Sequence, residues 1–574
     1  MKQRMKTADS RSGALRTLWV AENFEEIGAL RKFVYLGLIF LSAVFILAPG
    51  IAQISGVTTR DEYDLIYRTV LSMMERNDWL VPHLDGIPRI NKPPMIYWLT
   101  RSSFELMGAH VLSGRIVSVL FSAALIVVVV LMGREYTGSF RFGLRAGLIA
   151  LSTIGLAVQG RFLMLDIPTA ALSGLAFYIF LRWRHTQQLV LLMWVSMCLA
   201  CGFLTKGPVT LVVFGSGVMA ECLTNPEFRS ALRRAWTGMV VAALLFLILS
   251  IPWFAYVYAL FPEQTLINMQ QEWNARQLGT LNLGPITALT AVFFPWSCIL
   301  FAFRNHAQPA PNDTSVSTSY RSTMLLWLLL SLSPFFFFKF SERYIFGSLI
   351  PLSLLCSGIF QSVRVAGVRA YSRLALILTS FAVLLSCALS WWFKTSFGEL
   401  VVVVIGYVFF AVTWWRGAPF LPMAISSGLL WMTIVGLLYP SFGSNAIPSR
   451  ILNKLERQAV MLYRESEPAF LPISLRKSLK IVNDIRRDDL VHGSVGNSWI
   501  IVGEQNVSAF QSNIRKIEAI IAQEDCYRTL QPVEKLIQGA WRRTNLTAWN
   551  SALRGRSLDP LKEDVCLYRL GDAR

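Results

Sequence analysis

Apolar runs long enough to cross a bilayer recur along most of this chain, and they limit its fold more than any motif does. A span needs about 20 apolar residues, and about 13 such runs begin near Phe33, Val111, Ala146, Pro168, Leu189, Val209, Ala235, Pro285, Thr323, Tyr344, Leu374, Leu400 and Ala418. In lipid every backbone N–H and C=O must be satisfied within the protein, so runs of this length predict helices. The pieces from Cys201 to Cys222 are short enough to be broken or re-entrant. Composition agrees, because 54% of the 574 residues are hydrophobic and only 16% charged, more apolar than a soluble surface requires. The expected fold is an α-helical polytopic membrane protein whose membrane part covers residues 33–440.

A net charge of +19 would suggest nucleic acid in a soluble protein, but here the basic residues fall in short clusters between apolar runs, as membrane topology requires. No nucleic-acid partner is expected. With the N-terminal tail, residues 1–32, in the cytoplasm, that side collects Arg134, Arg141, Arg182, Arg229, Arg364, Arg416 and most other loop arginines. The opposite small loops carry only Arg161, Lys206, Arg276, Lys339, Arg343 and Lys394. This imbalance obeys the positive-inside rule. An odd number of spans then places both the first long loop, 55–110, and the C-terminal segment, 441–574, outside.

The C-terminal segment reads as a small extracytoplasmic α/β domain. SWIIVG (Ser498–Gly503) and CLYRL (Cys566–Leu570) are strand-like, and Ile514, Ile517 and Ile521 have helical spacing. Its two cysteines, Cys526 and Cys566, would meet an oxidising compartment and are expected to form a disulfide. Cys198 and Cys201, the only close pair, sit in an apolar run with no second pair, which favours packing over metal binding. Trp183, Trp194, Trp253, Trp296, Trp414 and Trp415 lie near run ends, where an indole at the membrane interface would keep its N–H wet.

Asp61 and Glu62 follow the first run directly, and the next residues have a helical pattern that places Tyr63, Ile66, Tyr67 and Val70 on a face suited to the membrane surface. Asn77-Asp78 and Asp85-Gly86 have turn chemistry, and His83 between them is a single imidazole, too little for a metal site. Arg89, Asn91-Lys92-Pro93-Pro94 and Tyr97 lead into an aromatic run. By itself this is a solvated loop with interfacial anchors. Farther on, Asp166 is expensive in lipid and must face a cavity or a partner such as Arg161. Lys206 can snorkel to the interface, and Glu272 and Arg276 are spaced to pair on a helix. HExxH, GxSxG and a Gly-rich nucleotide loop are all missing, which argues against a protease or a nucleotide-sugar enzyme with those motifs.

Three spaced elements, Asp61-Glu62, NDWLVP (Asn77–Pro82) and KPPMIYW (Lys92–Trp98), resemble the first extracytoplasmic loop of the polyprenyl-phosphate-sugar transferases. That superfamily includes the protein mannosyltransferases and the bacterial lipid A aminoarabinose transferases, and Asn77 stands where its pattern has Gly. The resemblance continues at GRFLMLDIPTAAL with Asp166, at LTKGPV with Lys206, and at KFSERYIFGSLIPL with Lys339, Arg343, Tyr344 and Pro351. It covers the membrane part, and KPPMIYW is most similar to the aminoarabinose branch.

The resemblance implies a GT-C glycosyltransferase of a bacterial inner membrane with its site facing the periplasm. The donor would be a polyprenyl-phosphate sugar drawn from the membrane lipids, and the acceptor a lipid A-type glycolipid, a glycan or a protein. Polyprenyl phosphate leaves as an anion, so cations matter most; Lys92, Lys206, Lys339 and Arg343 would hold the phosphate, with Tyr344 as a neutral donor. Asp61 would be the base toward an acceptor hydroxyl. Toward an already anionic lipid A phosphate, Asp61 and Glu62 would instead orient the sugar or bind its amine. Asp166 would position a cationic side chain or help hold a divalent metal ion. His83, Arg89, Tyr97, Glu272 and Arg276 are further cavity candidates. A lipid-linked sugar flippase and a non-catalytic scaffold are the competing classes; the acidic loop and the large outer domain disfavour the first, the intramembrane charges the second.

Overall fold

The structure, a computed structural model, describes residues 29–570 apart from 276–280, 301–317, 339, 363–364, 418–419, 466–467, 486–497, 518–520 and 532–542. Most of the expected N-terminal tail therefore lies outside the described residues. Among those described, seven helices are long and apolar enough to cross a membrane: Val111–Thr137, Leu189–Lys206, Trp236–Leu260, Glu342–Phe360, Arg369–Trp392, Phe397–Arg416 and Phe420–Phe442. This is a multi-pass membrane protein. The run from Cys201 to Cys222 forms two unbroken helices, Leu189–Lys206 and Val209–Thr224, joined at Gly207. Gly207 has φ +64°, a conformation that glycine adopts without a Cβ penalty. The break comes later, as a 113° bend at Asn225. There the Asn225 side chain accepts from the N–H groups of Glu227 and Phe228, and Pro226 opens the next helix.

The helix surfaces divide in two. Phe381, Leu384 and Ile405 stand exposed on the helices Arg369–Trp392 and Phe397–Arg416, where lipid is their solvent. The tryptophans correct the interface expectation: only Trp194 and Trp415 of the six are exposed. Trp183, Trp296 and Trp414 are fully buried, and the Trp296 and Trp414 rings pack at a tilt of 51° within the bundle, centroids 5.2 Å apart. Close packing, rather than water, is what holds helices together in lipid, and large rings serve it if their N–H finds a partner. Trp296 donates to Ser152 Oγ (2.9 Å) and Trp414 to Ser427 Oγ (3.0 Å). Trp253 donates to the Leu80 carbonyl (2.8 Å), which ties its helix to the first loop.

The C-terminal unit has a five-stranded mixed sheet. Its strands are β3 (Val460–Tyr463), β4 (Lys480–Val482), β5 (Trp499–Gly503), β6 (Ile521–Leu530) and β7 (Lys562–Leu570), in the spatial order β4-β3-β5-β7-β6. β3 runs parallel to β4 and β5, and β7 runs antiparallel to β5 and β6. Cys526 and Cys566 face each other across β6 and β7 and are joined as a disulfide. The helical spacing past Ile514 does not hold: that helix is Val507–Lys516, and Ile521 opens β6. Phe510 and Ile514 already bury the helix against Ile500, Val502 and Tyr568.

This unit is seated on the first loop. Asp61–Tyr67 and Arg68–Glu75 form one continuous helical segment, but Tyr63, Ile66, Tyr67 and Val70 are not on a membrane surface. They are buried in a cluster with Ala469, Phe470 and Ile473. The apolar face expected to meet lipid meets protein instead. Arg68 fastens the contact: it is ion-paired with Asp64 (2.7 Å) and Asp85 and donates to the Leu479 carbonyl (2.8 Å). Asp85 in turn accepts from Ile481 N–H (2.9 Å), and Glu75 takes both the N–H and the hydroxyl of Ser478. Asp85 can face that way because Asp85-Gly86 is the two-residue turn between β1 (His83–Leu84) and β2 (Ile87–Pro88), both with positive φ.

Candidate active site

Six segments bring charged residues together at the end of the bundle nearest the C-terminal unit. Asp61 starts the first-loop helix, and its Oδ2 lies 2.7 Å from Arg343 Nη1. Arg343 and Tyr344 sit in the short 3₁₀ turn Glu342–Ser348. Asp166 is the first residue of the helix Asp166–Thr186, and Lys206 the last residue of Leu189–Lys206. Each end thus carries the charge its helix dipole favours. The two are ion-paired, and the Lys206 ammonium also lies 4.2 Å from the centre of the Tyr344 ring. Arg343 and Lys92 are both within electrostatic reach of Lys206. Lys92 pairs with Glu272 (2.8 Å), which reaches in from the helix Pro262–Ala275.

These pairs differ in access to water. Asp166 is 6% exposed and Lys206 16%, whereas Lys92 and Glu272 are 38% and 33% exposed and Asp61 and Arg343 28% and 25%. A half-exposed pair is worth little and can exchange partners, while a buried one is costly to break.

Glu62, expected beside Asp61 as a catalytic carboxylate, must be corrected to a structural one. It is fully buried and takes Arg115 side-on (Nε–Oε1 2.9 Å, Nη2–Oε2 2.9 Å), Thr58 Oγ1 (2.5 Å) and the N–H of Leu163 (2.9 Å). The Tyr67 hydroxyl lies 3.1 Å away, and burial beside this carboxylate pushes that phenol well above its ordinary pKa. A Cβ at position 114 would overlap the Tyr67 ring, so Gly114 is what lets the ring approach. Arg115 was not singled out from sequence. Its signal is an arginine within an apolar run, between Ser113-Gly114 and Ser118, where only a partner or a cavity offsets the cost.

Arg161 is not the partner of Asp166: it donates to the carbonyls of Ala157, Leu47, Pro49 and Ile46, holding the end of the first helix. His83 is buried with Nδ1 2.9 Å from the Val81 carbonyl, and burial lowers its pKa. Arg89 donates to the buried Tyr97 hydroxyl (3.1 Å), so both shape the loop rather than join the charged cluster. Arg276 and Lys339 lie outside the described residues. Asp166 offers a single carboxylate already held by Lys206, and no three His, Cys, Asp or Glu side chains stand together for a metal ion among the described residues.

The family model "Dolichyl-phosphate-mannose-protein mannosyltransferase" matches residues 91–256, which include Lys92, Asp166 and Lys206. The chain superposes on ArnT from Cupriavidus metallidurans in the apo state with a TM-score of 0.67, covering 94% of this chain and 98% of that one at 15% identity. The chain has the fold of ArnT. Two relatives of this chain carry the name undecaprenyl phosphate-alpha-4-amino-4-deoxy-L-arabinose arabinosyl transferase. That of Pseudomonas fluorescens is 27% identical over 51% of this chain and 54% of its own length. That of Pectobacterium atrosepticum is 34% identical over 33% and 34%. The matched stretch thus spans about half, or less, of these relatives. ArnT bound to undecaprenyl phosphate has the same fold, with a TM-score of 0.65.

Proposed function

We propose that this GT-C protein transfers a 4-amino-4-deoxy-L-arabinose-type sugar from polyprenyl phosphate to a lipid A-type glycolipid at the periplasmic face of a bacterial inner membrane. The observation that carries the reading is the convergence of Lys92, Lys206, Arg343 and Tyr344 with Asp61 and Asp166 at one end of the bundle. The names of the curated relatives support the choice of sugar and donor. The proposed architecture is a membrane domain of about 13 spans over 33–440, with an outer domain over 441–574.

The donor's anomeric C–O bond breaks, and its electron pair leaves with the lipid phosphate. Stabilising that charge is the site's main task, because polyprenyl phosphate needs no general acid. Lys92 can release Glu272 and take the phosphate, since that pair is solvent-screened. Lys206 stays fixed by Asp166 and presents its charge beside Tyr344. Asp61, held by Arg343, faces the sugar: it takes the proton of an acceptor hydroxyl, or binds the sugar's amine when the acceptor is an anionic phosphate. Attack opposite the leaving group inverts the anomeric carbon. Lys339 and Arg276 are proposed as further contacts of the same cavity.

The test is transfer of labelled sugar from polyprenyl phosphate to extracted lipid A by the full chain in detergent. Transfer to protein instead would move the chain to the mannosyltransferase branch, and no transfer to either would overturn the reading. Within an active preparation, Asp61→Asn should cut turnover by about 10²- to 10⁴-fold at saturating substrates. Lys92→Ala should raise the donor KM and lower kcat together.

A further inference from the structure

A second cavity, of about 300 Å³, lies away from the charged cluster, where the helices Arg369–Trp392 and Phe397–Arg416 turn into each other beneath the C-terminal unit. Ser390, Trp391, Lys394, Ser396, Phe397 and Arg556 line it. The C-terminal unit forms one wall. Trp392 donates to the Leu553 carbonyl (2.8 Å), and Phe393 is buried with Leu530, Ala552 and Leu561.

Three features of this cavity suit an anion. Lys394 and Arg556 are both exposed, and among the described residues neither has a carboxylate partner. The Arg556 guanidinium instead lies over the Trp392 ring, 4.4 Å from its centre, a contact that uses none of its N–H donors as hydrogen bonds. The 20-residue helix Phe397–Arg416 begins here, and Ser396 at its cap makes no side-chain bond to the helix N–H groups. Those amides and the positive end of the dipole are therefore open to a ligand. Glu399 in the first helical turn sets a modest opposing charge.

The other side of the cavity is apolar. Trp391 is 62% exposed and Phe397 78% exposed, and they continue into the lipid-facing Leu384, Leu385 and Val401. A free anion would leave this rim unused. We propose that the cavity binds the phosphate headgroup of a membrane phospholipid, with the phosphate between Lys394, Arg556 and the helix start and the acyl chains along Trp391, Phe397 and Leu400. The site is independent of the glycosyltransferase reading. Its role is to seat the hairpin and the C-terminal unit on the leaflet surface.

Native mass spectrometry of the full chain in detergent, titrated with phosphatidylglycerol, tests this. Wild-type protein should bind one lipid saturably at this site. Lys394→Gln should weaken binding about fivefold, and the double variant with Arg556→Gln roughly 25- to 30-fold, from about 1 kcal/mol per cation near an anionic lipid surface. Arg556→Lys should restore most of the second loss. Ser396→Asp supplies a good cap while repelling phosphate, so it should reduce lipid binding with Tm unchanged or raised. Lipid binding unaltered in all of these folded variants would overturn the proposal. So would equal affinity for inorganic phosphate, which would show that the apolar rim adds nothing.

Discussion

Asp61 and Glu62 are neighbours in the chain with opposite surroundings. Asp61 is 28% exposed and has one cationic ion-pair partner among the described residues, Arg343, itself 25% exposed. Glu62 is fully enclosed, and Arg115, Thr58, the Leu163 N–H and the Tyr67 hydroxyl all donate to it. The difference separates two uses of charge in a membrane protein. A saturated buried pair has no capacity left for substrate and holds the loop in register. A half-wet pair keeps its carboxylate and guanidinium available to something that arrives.

The comparison breaks first at Glu62. Glu62→Gln leaves Arg115 buried without its counter-charge and should cost about 3–5 kcal/mol, read as lost yield and a lower Tm in detergent. Adding Arg115→Met should recover part of that loss. Asp61→Asn should cost less than about 1 kcal/mol of stability while, on the proposed function, cutting turnover; equal Tm losses at the two positions would erase the distinction. Glu272→Gln frees Lys92 without a buried penalty, so stability should shift by less than about 1 kcal/mol and the donor KM should fall by up to about fivefold. The smallest effect belongs to His83. Its folded pKa lies below the ordinary value near 6.5, so the stability of the neutral ring is present above that pH and lost as pH falls through the folded value. His83→Asn should therefore narrow the Tm gap between pH 7.5 and pH 5.

Period and length made the helical membrane part readable, and the family resemblance, in the first loop and in three later elements, pointed to Asp61, Lys92, Asp166, Lys206, Arg343 and Tyr344. What stayed hidden were partners far apart in sequence. Nothing local says that Lys206 rather than Arg161 meets Asp166, or that Lys92 meets Glu272. The first-loop helix was read as lipid-facing because an amphipathic pattern shows only that one face is buried. It does not say against what, and Phe470, four hundred residues on, was the answer. The same limit applied to the tryptophans, whose position near run ends fits an interface and a packed core equally well.

The C-terminal unit is pinned at two separate places, through Arg68 and Glu75 to the Ser478-Leu479 backbone and through Trp392 to Leu553. A plate bolted along two edges does not swing like a trapdoor. On the proposed function, a long isoprenoid tail would reach the charged cluster sideways, in the plane of the leaflet, while the plate stays shut. Such a doorway sorts molecules by whether they can be delivered by a membrane at all, before any side chain reads their sugar.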